Sequence, residues 1–206
     1  MKRGKRKERK VKNRILILCE GETEKNYFQA IKEVEENQQI LSALTVKVVV
    51  AKHPTAEYLV EEAIQLAKKT INEQNPFDQI WVVFDHDNQA HRKKAYDKAL
   101  AKNYSVAFSA IAFEIWYLLY FIKTAKEFEN GEMLLKELKK HYPGYEKAKQ
   151  NDFTNFKHKL ADAEKNSKWL RNQIKEIRGE MHVTGYLRTD VDKLVFSLIP
   201  VPGTTD

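Results

Sequence analysis

One cysteine in 206 residues leaves no disulfide framework and no thiolate zinc cluster, and fits a reducing cytoplasm. Seven glycines and no G-x-x-x-x-G-K-[ST] string exclude a P-loop and Gly-rich phosphate cradles as a class. G-x-S-x-G and H-E-x-x-H are missing as well, which removes the nucleophile elbow and the zincin helix. No apolar run approaches the roughly 18–20 residues of a membrane span, and the opening residues lack the apolar core of a secretory signal. The expectation is a soluble, cytoplasmic protein without a membrane partner.

What is present is enough for one domain with an appendage: 42% of residues are apolar and 32% charged, so a core can form. The net charge of +7 is unevenly placed. Residues 1–14 carry nine Lys/Arg and one Glu, and the remaining 192 carry 27 basic and 28 acidic side chains, a net of −1. The tail is expected to be disordered and to attract a polyanion by counterion release, or to serve solubility alone.

Beyond it, residues 14–19 (RILILC) form a first apolar run, followed by helical spacing at Tyr27, Phe28, Ile31 and Val34 with Thr23 placed to cap. Residues 45–51 are a β-branched second strand. Thr55 caps a helix with Leu59, Val60, Ala63, Leu66, Ala67 and Ile71 on its apolar face. Residues 80–84 (IWVVF) make a third strand, 91–101 a polar helix and 105–108 a short fourth strand. The alternation predicts an α/β fold with an open, mostly parallel sheet flanked by helices.

The rest is helical in pattern: an all-apolar helix over 113–122, a short amphipathic one at Met133–Leu138, and one long stripe. That stripe steps by three and four through Phe153, Phe156, Leu160, Ala163, Ser167, Leu170, Ile174, Ile177 and Met181. It is expected to pack on the domain, or failing that on a second copy in a homodimer. Beside it run Lys168, Arg171, Lys175 and Arg178, a solvated face or, in the alternative, a track for a nucleic-acid backbone.

Two acidic features close strands. The first strand runs into Glu20-Gly21-Glu22 and the third into Asp85-His86-Asp87. Ligands of open α/β sheets bind outside the carboxyl ends of the strands where strand order reverses, and first and third strands are often neighbours there. Asp85 and Asp87, two apart on an extended segment, can face one ion together. Glu20 and these aspartates, converging without a basic partner, repel one another unless a hard cation, Mg²⁺ or Mn²⁺, joins them. Gly21 lets the backbone turn past the metal and leaves room for a phosphate. A second D-x-D, Asp190-Val191-Asp192, precedes an apolar segment and is more naturally a helix start. Glu22 and Glu24 fit a first-turn acidic cluster. Glu114 interrupts the apolar run 111–119 and needs a partner: a core salt bridge, or a role at the site.

These residues also carry a resemblance. The string 16–28 (LILCEGETEKNYF) resembles the opening motif of the RloB-like family, a hydrophobic strand leading to C-E-G, T-E and N-Y-F. Phe84-Asp85-His86-Asp87 is similar to its D-x-D, residues 109–121 to its S-N-P-x-F-E-x-W block, and 189–195 to its closing signature. Ala110-Ile111 stands where the family usually has Asn-Pro, so the contact made by that turn is not carried over. The resemblance implies a TOPRIM-like domain over 15–110 with a helical part over 111–206 packed on it as one unit. It implies Glu20 as acid/base and metal ligand, and Asp85 and Asp87 as metal ligands. It also implies a bacterial phage-defence (abortive-infection) effector, commonly encoded beside a separate ATPase.

The expected function is a Mg²⁺-dependent nuclease. Glu20, Asp85 and Asp87 would carry the chemistry, and Gly21, Glu114, Lys168, Arg171, Lys175 and Arg178 would lie along the substrate. The alternatives are a non-catalytic module that docks a cation or an ATPase, and a nucleic-acid binder acting through its tail.

Overall fold

The continuous apolar runs become strands covered on both faces, as parallel sheets require. The computed structural model describes residues 12–86, 91–148, 152–178 and 187–199. Its sheet has five strands in the order β2-β1-β3-β4-β5: β1 (Asn13–Cys19), β2 (Leu44–Val50), β3 (Gln79–Asp85), β4 (Ser105–Ala110) and β5 (Arg188–Thr189). The first four pair parallel and β5 joins β4 antiparallel. β1 takes up Asn13 and Arg14, which the charge count grouped with the tail. Residues 1–11 lie outside the described residues.

Side-chain alternation along each strand divides the core in two. Ile15, Ile17, Cys19, Trp81 and Val83 face one side, with α1 (Glu22–Glu33), α2 (Glu35–Leu41) and most of the C-terminal half. Leu16, Leu18, Val82, Phe84 and Phe108 face the other, under α3 (Ala56–Asn72) and α4 (Arg92–Ala101). Each such buried aliphatic or aromatic side chain contributes about 1.5–3 kcal/mol by leaving water, so both helical layers are held to the sheet, whose edge strand β2 alone among the first four exposes side chains in mid-strand, Thr45 and Lys47.

The first layer continues through α5 (Glu114–Leu118), α6 (Gly131–His141), α7 (Asp152–Phe156), α8 (Leu160–Arg178) and α9 (Val191–Leu198). Aromatic rings join these pieces. Tyr27 of α1 meets Phe113, Trp116 and Phe153 edge-on, and its hydroxyl lies 2.6 Å from that of Tyr120. The junction fixes the start of α1 against the start of α5, and both starts carry glutamates.

The structure departs from the sequence reading in three elements. The apolar helix expected over 113–122 is only the five-residue α5 followed by turns. The long stripe is broken at Phe156 (φ −128°, ψ 15°) by a 3-10 turn, Lys157–Lys159. Because that turn preserves the inward direction, Phe153, Phe156, Ala163, Ser167 and Leu170 all remain buried by their own chain. The third is β5, which pairs Ser109 with Thr189 and Ala110 with Arg188; two residues give no periodicity to detect.

Candidate metal and phosphate cleft

β1 and β3 lie side by side, and their crossovers run to opposite faces, so the sheet reverses its winding between them. This is where an open α/β sheet leaves a crevice. Backbone pairing continues past β1: the Glu20 N–H donates to the Val83 carbonyl at 3.0 Å, and the Cys19 carbonyl accepts from Ala51 N–H at 2.8 Å. Glu20 is therefore held as firmly as a strand residue. Its carboxylate turns over the end of β3 and accepts the Asp85 backbone N–H at 3.3 Å.

A cleft of about 340 Å³ opens there, and Glu20, Glu24, Asp85 and Glu114 all line it. Glu24 sits in the first turn of α1. Glu114 is the first residue of α5, 2% exposed, and accepts a 2.6 Å hydrogen bond from the Tyr145 hydroxyl. Its partner is thus a neutral hydroxyl rather than the salt-bridge cation expected for a buried carboxylate. The segment that supplies Tyr145 is tied to α1 twice. Ala148 N–H donates to Thr23 Oγ1 at 3.1 Å, and Asn26 Nδ2 donates to the Ala148 carbonyl at 2.7 Å. Thr23, expected to cap α1, makes this contact instead; the N-cap is Gly21. The arrangement sets Lys147 at the cleft rim.

The carboxylates do have a basic partner, against the expectation. Arg92, first residue of α4 and 2% exposed, donates from Nη1 to Glu20 Oε1 at 2.7 Å. Its Nε has no hydrogen-bond partner among the described residues. One buried arginine does not balance the cleft. Burial, then the charges of Glu20 and Glu24, push the Asp85 carboxyl well above the ordinary range, with Arg92 opposing. Burial, with Glu114 and Glu20 adding to it, pushes Glu24 up to about 7 against the pull of Lys147. Negative charge is in excess here, so a proton or a cation is favoured.

Gly21 has an extended backbone (φ −136°, ψ 177°) that any residue can adopt. An added Cβ would stand 3.0 Å from the Glu24 carboxylate oxygen, so that side chain would have to give way. Asp87 lies outside the described residues. Among the described residues, no group of three or more His, Cys, Asp or Glu has metal-holding geometry. His86 is held by its backbone N–H on the Ser109 carbonyl, and its ring meets Phe108 edge-on.

A model of the RloB-like protein family matches residues 15–198, strand β1 through α9. The chain belongs to the RloB-like family. No curated protein and no solved structure matches it.

In this RloB-like chain the cationic row of α8 is not four equivalent side chains. Arg171 turns inward and forms two 2.6 Å bonds with Asp192, plus one of 2.7 Å to the Thr189 carbonyl. That corrects its reading as part of a solvated row: the guanidinium is a strut between α8 and α9. Lys168 pairs with Glu164 at 2.9 Å, Lys175 is exposed, and the side chain of Arg178 lies outside the described residues.

Glu24 and Lys147 escaped the sequence reading as site residues, and Arg92, which with His91, Lys93 and Lys94 could be read as meeting a phosphate or as a solvated helix start, instead pairs with Glu20. Glu24 had a signal, since four residues separate it from Glu20 across a helix start at a strand end. Lys147 had none beyond its charge, and nothing local marked Arg92 as the partner of Glu20, because tertiary packing alone brings them in.

Proposed function

We propose that this protein is a divalent-metal-dependent phosphodiesterase acting on nucleic acid, with a TOPRIM-like use of its sheet. The observation that carries the reading is the meeting of Glu20 and Asp85 at adjacent strand ends, in a cleft whose buried carboxylates outnumber its cations. The donors are all oxygen, which suits Mg²⁺ or Mn²⁺. Mg²⁺ usually keeps several waters and takes one or two carboxylates plus substrate phosphate, so a protein cage of three or more ligands is not needed. Asp85, with Asp87 two residues on, and Glu20 would hold the ion. When bound, it would neutralise charge developing on a scissile phosphate.

The chain's own residues supply the rest. Arg92 holds one oxygen of Glu20 and the Asp85 backbone N–H donates to the other, which fixes the carboxylate in position to orient a water or accept its proton. Lys147, standing at the rim on a segment anchored to Thr23 and Asn26, is placed to meet a phosphate oxygen that the carboxylates would otherwise repel. Gly21 keeps the floor clear. A role as a bacterial defence effector working with a separately encoded ATPase rests on the family alone.

The Glu20–Arg92 pair favours one rival, because it lets the cleft stand without a metal: a non-catalytic module that docks a basic partner. Mn²⁺ binding followed by spin resonance separates the two. The phosphodiesterase predicts saturable binding by the wild type that is lost in Asp85→Asn/Asp87→Asn, together with metal-dependent cleavage of RNA or DNA that disappears in the same variant. Equal, weak Mn²⁺ binding by both proteins and no cleavage would sink it.

A further inference from the structure

A second recess, of about 280 Å³, opens between α3 and α4, lined by Glu57, Tyr58 and Glu61 on one helix and Lys94, Ala95 and Lys98 on the other. Ala95 is fully buried at its base. Tyr58 stands 61% exposed, and it is the one aromatic among the large hydrophobic side chains left exposed in the described residues. The ring is not loose: His53 packs against it, with centroids 5.2 Å apart and planes tilted by 47°. Ion pairs bracket it, Lys94 to Glu57 at 3.3 Å and Lys98 to Glu61.

The recess thus offers a flat π face, a small apolar floor, and both donors and acceptors at its edge. A phosphate would be repelled by Glu57 and Glu61, and a purely apolar partner would gain nothing from two ion pairs. A nucleobase uses all of these features, stacking on the ring and presenting donors and acceptors along its own rim.

Position ties the recess to the cleft. Pro54, just before α3, lines the carboxylate cleft, and so does Arg92, the first residue of α4. The recess occupies the first two turns of both helices, at about 5.4 Å per turn. Successive nucleotides are spaced by about 3.4 Å when stacked and by more when drawn out, a length of the same order as one helical turn.

We infer that the Tyr58 recess holds a base of a single-stranded nucleic acid whose phosphate lies in the carboxylate cleft. The inference rests on the phosphodiesterase reading and narrows its substrate, because a base inside a duplex has no face to offer the ring.

The test is fluorescence anisotropy with a labelled single-stranded oligonucleotide, an abasic strand of equal length, and a blunt duplex, with Ca²⁺ in place of Mg²⁺ to prevent turnover. Wild type, Tyr58→Ala and Tyr58→Phe are compared, and cleavage of the same strand in Mg²⁺ is followed for wild type and Asp85→Asn. Tyr58→Ala is expected to weaken binding of the base-bearing strand about 5- to 100-fold, while Tyr58→Phe stays within about 3-fold. The abasic strand should bind wild type and Tyr58→Ala alike. Equal binding of the base-bearing strand by wild type and Tyr58→Ala overturns the recess, and leaves the phosphodiesterase standing if cleavage is still lost in Asp85→Asn. A duplex bound with the same Tyr58 dependence also overturns it. Failure of the wild type to bind the base-bearing strand does so too, and absence of cleavage besides removes the phosphodiesterase as well.

Discussion

The chain contains the tripeptide pattern D-x-D twice, and Asp85, which opens the first copy, lives in electrostatic surroundings opposite to those of the second copy. Asp190 and Asp192, where β5 passes into α9, are nearly inaccessible and richly supplied with cations. Arg188 donates to both oxygens of Asp190 at 2.9 and 2.7 Å, Lys193 adds a contact at 2.8 Å, and Arg171 grips Asp192 twice. Asp85, at the end of β3, shares one buried arginine with Glu20 and faces Glu24 and Glu114 as well. The first pair is a fastener, complete in itself. Asp85 stands amid an excess of negative charge, and a cationic ligand could complete its site. Spacing does not separate the two; the supply of cations does.

The largest effect should come from cutting the fastener. Asp192→Ala leaves the Arg171 guanidinium half-buried with only the Thr189 carbonyl, and removing one partner of such a pair costs about 3–5 kcal/mol. Urea unfolding should register that loss. Arg171→Met/Asp192→Leu, which removes both charges and keeps the volume, should recover most of it. A loss under about 1 kcal/mol for Asp192→Ala would mean that the bidentate pair does not fasten α8 to α9.

Next comes Glu24. Its folded pKa of about 7 lies above the ordinary 4.5. The associated stability is complete below about 4.5 and is lost as pH rises through about 7. At pH 8 the ionised form costs about 3 kcal/mol, because each tenfold change in proton affinity corresponds to about 1.4 kcal/mol. Glutamine is neutral throughout, so Glu24→Gln should be more stable than wild type at pH 8 in EDTA, with the advantage shrinking toward pH 4.5. A difference that stays flat across this window would remove the repulsion from the comparison.

The strand-end position of Glu20 and Asp85 was legible in the sequence because apolar runs locate strands, and a parallel sheet puts their carboxyl ends on one edge. The order that makes β1 and β3 neighbours followed from the common habit of such sheets. Three things were hidden. Arg92 reaches Glu20 across 72 positions, and a buried arginine looks like any other basic residue at a helix start. Tyr145 is joined to Glu114 by a hydroxyl in a loop after Pro143-Gly144, where no periodicity operates. The break after Phe156 is silent because a 3-10 turn can keep an apolar stripe in phase. Local pattern reports which face is buried; it does not report which polar groups meet across the fold.

Tyr145→Phe sharpens the comparison from the other side. Glu114 would lose its 2.6 Å donor while remaining buried, and an unsatisfied buried acceptor costs about 1–3 kcal/mol. Chemical denaturation at neutral pH measures it. Mn²⁺ should restore part of the loss if the cleft takes a cation, since a ligand that binds only the folded state stabilises it. No loss would place Glu114 outside the balance of the cleft.

The smallest expected effect on stability is the most discriminating. Asp85→Asn deletes a carboxylate from a cluster with too many, and the Asp85 backbone N–H that Glu20 accepts is untouched. The repulsion it relieves opposes whatever attraction to Arg92 is lost, so in EDTA the variant should match or exceed wild type in urea midpoint, whereas Asp192→Asn should fall well short. The substitution is the same and so is the tripeptide pattern. If both variants lost stability equally, Asp85 would be a second fastener and its cleft a structural ion-pair network. If only Asp192→Asn does, the fold gains nothing from the negative charge at Asp85, and that charge is left for a ligand.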